Sequence, residues 1–222
     1  MNILDYAIAK KLFGGSGSGG GDAQASLNAL INRSITEIES DAGIIGANAF
    51  ANCTALITAN FPKATSVGNT AFQSCMKLTT VNFPNVTDIG SSGFNSCTAL
   101  ITANFPNAIS VAENAFRSCY KLTSANFPNA TIINYSSFEN CYPLTKVIIG
   151  TNLTTVATLA NTNAFNKCYH ILGTTNSTYN PTGAKDGYIY VPDNLVSSYK
   201  SATNWSTYAS QIKGISELPT EE

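Results

Sequence analysis

Cysteine recurs in this sequence at a fixed interval of 22 residues, and this recurrence restricts the fold more than any other feature. Five cysteines keep the interval and a sixth follows after an expansion of five residues: Cys53, Cys75, Cys97, Cys119, Cys141 and Cys168. Phenylalanine, leucine and a Phe-Pro pair keep the same step, as Phe50, Leu56 and Phe61-Pro62 do in the first unit. Because these tracks share one register, the chain consists of copies of one short unit, and such copies stack into a solenoid.

Each unit contains one short strand. Leu78, Val81 and Phe83 have the L-x-x-L-x-L spacing of a leucine-rich repeat. Val81 and Phe83 are two residues apart and therefore share one face of the strand, while Thr80 and Asn82 point the other way. The proline after Phe83 has no N–H to donate and is expected to end the strand pairing.

The rest of the unit is too short for a long helix, so we expect a 3-10 turn or a single helical turn over Asn69–Cys75 and its equivalents. One coil cannot bury its own apolar edge, but stacked coils bury the Phe, Leu and Cys tracks together. Burying each phenylalanine contributes roughly 1.5–3 kcal/mol. The repeat therefore predicts a continuous core along the stack.

The cysteine track is expected to form a buried, reduced ladder. Equivalent positions of stacked coils lie ~4.8 Å apart, and parallel side chains do not converge to the ~3.5–4.5 Å between Cβ atoms that a disulfide requires. The sequence has no C-x-x-C motif, and ligands in a line do not surround a metal tetrahedrally. We therefore expect no metal site, no bound cofactor and no catalytic thiol.

The pattern A-F-x-x-C-x-x-L-x-x-x-x-F/L-P resembles the BspA-like leucine-rich repeats of bacterial surface proteins, over about Ile35 to Ile215. The resemblance implies an α/β leucine-rich-repeat solenoid, with short parallel strands on the concave face and turns, including short 3-10 or helical turns, on the convex face. Relatives with these repeats are mostly adhesins or uncharacterised proteins. The resemblance therefore implies a fold and little chemistry.

The chain is predicted to have five segments: an N-terminal helix, a Gly/Ser linker, an N-terminal cap with a partial first repeat, the solenoid, and a C-terminal cap helix with a tail, over residues 1–13, 14–21, 22–45, 46–192 and 193–222. Tyr188–Pro192 is predicted to be the last strand. Asp193 is placed to cap a helix over Asn194–Ala202, and an apolar face continues through Trp205, Tyr208 and Ile212.

The N-terminal segment is predicted to dock on another surface. Leu4, Ile8 and Leu12 form one apolar row of a helix that is too short to be stable alone in water. Its partner would be a sister copy, the solenoid or a larger assembly. The lysines follow the apolar stretch instead of preceding it, which is atypical of a signal peptide. A short helix on a glycine tether resembles phage or prophage tail-appendage proteins, although an engineering scar would also explain the glycines.

Charge and composition exclude several classes of function. Only 11% of residues are charged and the net charge is −1, so the chain lacks the clustered cations that nucleic acid or an anionic membrane requires. No apolar run approaches the ~20 residues of a membrane-spanning helix. The single histidine, His170, is expected at the surface or in a turn, and the acidic residues have no spacing that pairs two carboxylates for hydrolysis. The sequence therefore predicts that the protein is not an enzyme.

The outward side of the strands is the first candidate ligand surface. It carries Thr80, Asn82, Thr102, Asn104 and Asn126 at equivalent positions of successive units. These side chains would either hydrogen-bond along the stack and stabilise it, or offer an uncharged platform to a glycan or a protein.

A less regular rim is the second candidate surface. Tyr120 and Tyr142 follow their cysteines directly, and tyrosine is a residue type enriched among the contact residues of interfaces. The expanded segment Thr151–Asn163 is a further candidate, because insertions in repeat proteins often form binding loops.

The sequence therefore predicts a non-enzymatic recognition module. It would be mounted through its N-terminal helix on a larger assembly such as a phage tail appendage, and would contact protein or glycan on a host. The alternatives are a BspA-like cell-surface adhesin and a purely structural spacer. The lack of a Sec signal favours a virion-associated protein, or one made in the cytoplasm, over export to the cell surface.

Overall fold

The structure is a computed structural model that describes residues 34–159 and 162–220. Its coils each contribute a longer strand to one side of the stack, here called the strand face. These strands are β1 Glu37–Glu39, β3 Thr58–Asn60, β5 Thr80–Asn82, β7 Thr102–Asn104, β9 Ser124–Phe127, β11 Lys146–Ile149, β13 Tyr188–Val191 and β14 Ile212–Gly214. All of their pairings are parallel, as the sequence predicts.

A second row of two-residue strands runs along another side of the stack, here called the second face. It comprises β2 Ile44–Ile45, β4 Ser66–Val67, β6 Asp88–Ile89, β8 Ser110–Val111, β10 Ile132–Ile133 and β12 Thr158–Leu159, joined in one continuous parallel sheet. The repeat predicts only one strand in each unit and therefore none in this segment. A strand of two residues is too short to show the alternation of apolar and polar residues by which a strand is recognised in a sequence.

The strand face is interrupted between β5 and β7. It consists of one sheet of β1, β3 and β5 and another that runs from β7 to β14. The second face stays paired across the same coils, through Asp88 and Ser110. The rings of Phe83 and Phe105 lie 6.1 Å apart here, against 5.6 Å for Phe61 and Phe83. The two coils are therefore joined at the second face and parted at the strand face.

Consecutive turns, rather than helical turns, connect the two faces in most coils. Thr70 and Ser74 adopt left-handed conformations with φ of 56° and 60°, and equivalent residues do so in other coils. A left-handed residue ends each right-handed turn, so hydrogen bonds such as those from Ala71 to Gly68 and from Gln73 to Thr70 do not add up to a helix. Thr162–Phe165 forms a 3-10 helix, which is one of the two forms that the sequence predicts for each coil.

The core is the stack of tracks that the repeat predicts. Phe94 lies between Phe72 and Phe116, with ring centroids 5.2 and 5.3 Å away and nearly parallel planes. The equivalent phenylalanines, the cysteines and the leucines are likewise buried. Offset stacking of this kind adds about 0.5–1.5 kcal/mol per pair to the burial of the rings.

The C-terminal cap differs from the prediction in two respects. Asp193 does not cap a helix with its side chain; its Oδ1 accepts bonds from the backbone N–H and the hydroxyl of Ser216. The predicted helix divides into a 3-10 turn, Asp193–Leu195, and α2, Val196–Ser201; the earlier helix α1 is Tyr169–Leu172.

The apolar face after this helix also departs from the prediction. Trp205 and Tyr208 are buried in a 3-10 helix, Trp205–Gln211, but Ile212 begins β14 and pairs with Ile189 of β13. A final 3-10 turn spans Ile215–Glu217. The sheet thus gains one more strand than the sequence predicts.

The predicted N-terminal helix, with Leu4, Ile8 and Leu12, and the Gly14–Gly21 linker lie outside the described residues. Ile35 and Ile38, assigned to the partial first coil, are partly buried against the core. No helix within residues 34–159 and 162–220 is long and apolar enough to cross a membrane.

Candidate functional site

The register of the strand face arranges its outward side chains in two columns. The first column contains Glu37, Thr58 and Thr80 before the interruption and Thr102, Ser124, Lys146 and Tyr188 after it. The second contains Glu39, Asn60 and Asn82 before it and Asn104, Asn126, Ile148, Tyr190 and Lys213 after it. The face therefore changes from acidic, through uncharged and polar, to basic and aromatic along the stack.

The asparagine column forms a hydrogen-bonded ladder in two separate pieces. Asn82 Nδ2 donates to Asn60 Oδ1 at 2.7 Å, and Asn60 Nδ2 donates to Glu39 at 2.9 Å. Beyond the interruption, Asn126 Nδ2 donates to Asn104 Oδ1 at 2.8 Å. Within the described chain, no side-chain bond joins Asn82 to Asn104. The stabilising ladder that the sequence allowed is thus present, but it ends where the sheet ends.

A groove occupies the strand face from β7 to β14. It encloses about 910 Å3, within the roughly 300–1,000 Å3 typical of ligand sites. The predicted residues Thr102, Asn104 and Asn126 lie in its floor, together with Ser124, Lys146 and Ile148. Its far wall comes from segments outside the regular repeats, namely Asp186, Tyr188, Tyr190, Lys213 and residues 217–220.

The charged groups of the far wall are held in different ways. The ammonium of Lys213 lies 3.7 Å from the centroid of the Tyr188 ring, a cation–π contact that fixes its position. Asp186 Oδ1 lies 2.6 Å from His170 Nδ1. Glu217 accepts a bond from the Gly214 backbone N–H at 3.1 Å. Both carboxylates are thus engaged by donors of this chain.

A row of stacked tyrosines forms the rim, on a different edge from the groove. Tyr120 and Tyr142, the two predicted contact residues, stack with ring centroids 5.1 Å apart. The centroid of the Tyr142 ring also lies 5.3 Å from that of Tyr169 and 4.6 Å from that of Tyr179. Burial raises the pKa of Tyr142, and the three neighbouring tyrosines raise it further. Since the rings cover one another, the row presents mainly edges and hydroxyl groups rather than open faces.

The structure thus divides the predicted site residues among three places. Thr102, Asn104 and Asn126 line the groove, whereas Thr80 and Asn82 lie beyond the interruption. Tyr120 and Tyr142 belong to the rim.

Sequence reasoning missed several residues of these surfaces. A signal existed for Tyr169, which follows Cys168 as Tyr120 and Tyr142 follow their cysteines. None existed for Tyr179 or Lys213, because both lie outside the repeat.

In the expanded segment Thr151–Asn163, Ala157 and Leu159 are bonded to the cap. The Ala157 N–H donates to the Tyr199 hydroxyl at 2.9 Å, and Trp205 Nε1 donates to the Ala157 carbonyl at 2.6 Å. Asn204 Nδ2 donates to the Leu159 carbonyl at 2.8 Å. These residues therefore join the last coil to the cap.

All six cysteines are buried and free, as the stacked register predicts. Burial raises the pKa of the Cys119 thiol to about 12 and also raises the pKa values of Cys97 and Cys141. A thiol of this kind is a poor nucleophile, because the thiolate is the reactive form. In the described ranges, no group of three His, Cys, Asp or Glu side chains could hold a metal ion.

His170 is partly buried and ties two segments together. Its side chain is 19% exposed. Besides the contact with Asp186, its Nε2 donates to the Tyr179 carbonyl at 2.8 Å, since a carbonyl can only accept. His170 thus anchors the segment that carries Tyr179 to the groove wall at Asp186.

The short parallel strands, the stacked phenylalanines and the groove across the strand face define a leucine-rich-repeat solenoid. The chain belongs to the BspA type leucine rich repeat family, whose model matches six copies over residues 43–172. No protein with a curated description matches it.

The crystal structures that are similar to the chain include those of two bacterial proteins. One is a leucine-rich cell surface protein from Faecalibacterium prausnitzii A2-165, with 33% identity, a TM-score of 0.53, and coverage of 60% of this chain and 36% of that chain. The other is a leucine-rich repeat protein from Eubacterium ventriosum ATCC 27560, with 22% identity, a TM-score of 0.50, and coverage of 60% and 43%. The chain therefore spans less than half of either protein.

Proposed function

We propose that this protein is a non-enzymatic recognition module, an adhesin that binds protein or glycan through the groove of its strand face. The observation that carries the proposal is the open groove itself, which combines amides, hydroxyls, tyrosines and lysines on a rigid stack of strands. Side chains on strands of a packed scaffold are held in place before a ligand arrives, which lowers the entropic cost of binding.

The cysteines support a recognition role over catalysis. They are the residues with most potential as nucleophiles, but their thiols lie in the core with raised pKa values. The polar side chains in the floor of the groove carry amides, hydroxyls and an ammonium group, which suit hydrogen bonding to a ligand.

Binding to a printed array of surface glycans and extracellular-matrix proteins tests this function. A variant with Thr102→Ala, Asn104→Ala and Asn126→Ala is expected to lose binding at least about tenfold, because three polar contacts of about 0.5–1.5 kcal/mol each are removed. The control is Ser66→Ala on the second face, which should bind normally.

The rim is tested beside the groove by a variant with Tyr120→Ala and Tyr142→Ala. Retained binding by this rim variant supports the groove as the contact surface. Loss of binding in the rim variant alone would move the site to the tyrosine row. Absence of all binding on the array would favour the structural spacer over the recognition module.

We also propose that residues 1–13 mount the module on a larger assembly, such as a phage tail appendage. The apolar row Leu4, Ile8 and Leu12 supports mounting. Deletion of residues 1–21 should leave the melting temperature and array binding unchanged while abolishing self-association or co-purification with a tail structure. A large loss of stability would instead make the segment part of the solenoid's cap.

Display at a cell surface is the second candidate for how the module is presented. The description of the Faecalibacterium prausnitzii protein as a cell surface protein supports it. Immunolabelling of intact cells of the source organism distinguishes the two: surface label favours the adhesin, and label on released particles favours the appendage.

A further inference from the structure

We propose that the groove binds an acidic oligosaccharide, with a sugar carboxylate at Lys213 and sugar hydroxyls at Asn104 and Asn126. This inference rests on the proposed function, and it assigns the ligand class of the same site. Three features of the groove carry it: hydrogen-bonding groups at one end that have no partner among the described residues, a cation at the other end that has no carboxylate partner among them, and the spacing between the two ends.

The β7 end of the groove offers both donors and acceptors. In the described chain, Asn104 Nδ2 has no partner, because the ladder stops at the interruption. The Oδ1 of Asn126 has none either, because the next residue in its column is Ile148, which cannot donate. A sugar hydroxyl both donates and accepts, so neighbouring hydroxyls of one ring can satisfy the two amides.

Backbone donors add to this end of the groove. Elsewhere in the strand face, backbone hydrogen bonds join each coil to the preceding one, as the Thr123 N–H does by donating to the Ile101 carbonyl at 2.9 Å. The equivalent bonds from β7 to β5 are missing from the described structure, so the N–H groups of Thr102 and Asn104 point into the interruption without a backbone acceptor. Unmade hydrogen bonds of this kind are restored most readily by a polar ligand.

The β14 end of the groove offers a positive charge. Lys213 is held over the Tyr188 ring, and among the described residues no carboxylate lies within ion-pairing distance of it. The two acidic side chains of the groove, Asp186 and Glu217, are already bound to His170 and Gly214. A carboxylate on the ligand can therefore pair with Lys213.

The spacing between the two ends favours a short chain of sugars. Asn126 and Lys213 belong to the second column and lie three strands apart. At ~4.8 Å between neighbouring strands, this separation is about 14 Å. A single sugar ring cannot bridge that distance. Ile148 and Tyr188 lie between the ends and provide apolar contact for the C–H faces of the intervening rings.

The same spacing disfavours an extended peptide. Alternate residues of an extended chain are roughly 6.6 Å apart, so a peptide laid along the stack would lose register with side chains that repeat every ~4.8 Å. The floor consists mainly of small polar side chains, such as Thr102 and Ser124. Protein interfaces instead use deep desolvated pockets for aromatic or arginine anchors.

The test uses the full chain and an array of uronate- and sialate-bearing oligosaccharides of increasing length, printed beside their methyl esters and a hexaglutamate peptide. We expect binding to a free acid longer than one unit, and at least tenfold weaker binding to its ester. Lys213→Gln should bind the free acid only as weakly as the unmodified protein binds the ester. Lys213→Arg should still bind the free acid. The matched control is Lys63→Gln, since Lys63 pairs with Asp41 at the far end of the stack.

The outcomes separate this inference from the proposed function. Ester-sensitive binding that depends on Lys213 supports the acidic saccharide. Binding to hexaglutamate or to matrix proteins, but to no acidic sugar, overturns the ligand class and leaves the recognition module standing. If the Thr102, Asn104 and Asn126 variant also binds every array normally, the groove is not the site and both proposals are wrong.

Discussion

The thiol of Cys97 donates a hydrogen bond to the carbonyl oxygen of Phe72, in the preceding coil, at 3.1 Å. The same bond recurs along the stack, as from Cys119 to Phe94 at 3.3 Å and from Cys141 to Phe116 at 3.1 Å. A thiol fills space like a small apolar side chain, and here it also donates a second bond to a buried carbonyl that already accepts a backbone N–H, as Phe72 does from Cys75 at 3.1 Å. This double role gives a physical reason for cysteine, and not alanine, at this position of the repeat.

Alkaline pH is predicted to destabilise the fold through these thiols. The pKa of Cys119 rises from 9.0 to about 12 on folding, so between these pH values the unfolded state loses a proton that the folded state keeps. The free energy of unfolding therefore falls as pH rises, by on the order of 1.4 kcal/mol per pH unit for each such thiol. Below pH 9 the contribution of this thiol is fully present.

Guanidinium unfolding at a series of pH values from neutral to 11 measures this loss. Cys119→Ala should show a smaller alkaline slope than the unmodified chain, because one of the titrating thiols is gone. Identical slopes in the two proteins would mean that the thiol is not protected by burial.

The phenylalanine stack is predicted to carry much of the stability. Phe94→Ala removes a ring packed between Phe72 and Phe116 and should lower the free energy of unfolding by about 3–5 kcal/mol. Tyr135→Ala is the control, since Tyr135 is 45% exposed and its loss should change stability by less than about 0.5 kcal/mol. Urea denaturation measures both variants, and similar small effects would contradict a continuous core.

The interruption of the strand face is predicted to be visible in hydrogen exchange. The amides of Thr102 and Asn104 lack acceptors in the preceding coil, so they should exchange at least about tenfold faster than those of Ser124 and Asn126. Residue-resolved exchange by NMR measures the four rates. Equal protection of the two strands would mean that β5 and β7 are paired in solution.

The repeat was sufficient to predict the core and the parallel strands. Phe94, Cys97 and Leu100 occur at fixed offsets, and a solenoid is the arrangement that buries all of their tracks at once. The outward position of Asn104 and Asn126 followed from the alternation of side chains in a strand.

Other features depend on contacts that the repeat does not encode. The coils that hold β5 and β7 have nearly the same sequence pattern as their neighbours, so nothing in the pattern marks the interruption. The groove needs a wall from the C-terminal cap, where Lys213 meets Tyr188 across 25 residues of non-repeating sequence. Asp193 was predicted to cap a helix, but its side chain instead accepts a bond from Ser216, which is distant in the sequence.

The central claim, that the strand face is the recognition surface, is tested most directly by blocking one face at a time. The two variants are Ser124→Cys, at a position on the strand face, and Ser110→Cys, at a position on the second face. Because the native thiols are buried, the introduced cysteine is the one that reacts. Each variant is coupled to a bulky polyethylene-glycol maleimide and applied to the glycan and matrix-protein array. Binding should be lost with the label at residue 124 and retained with the label at residue 110; the reverse result would contradict the claim.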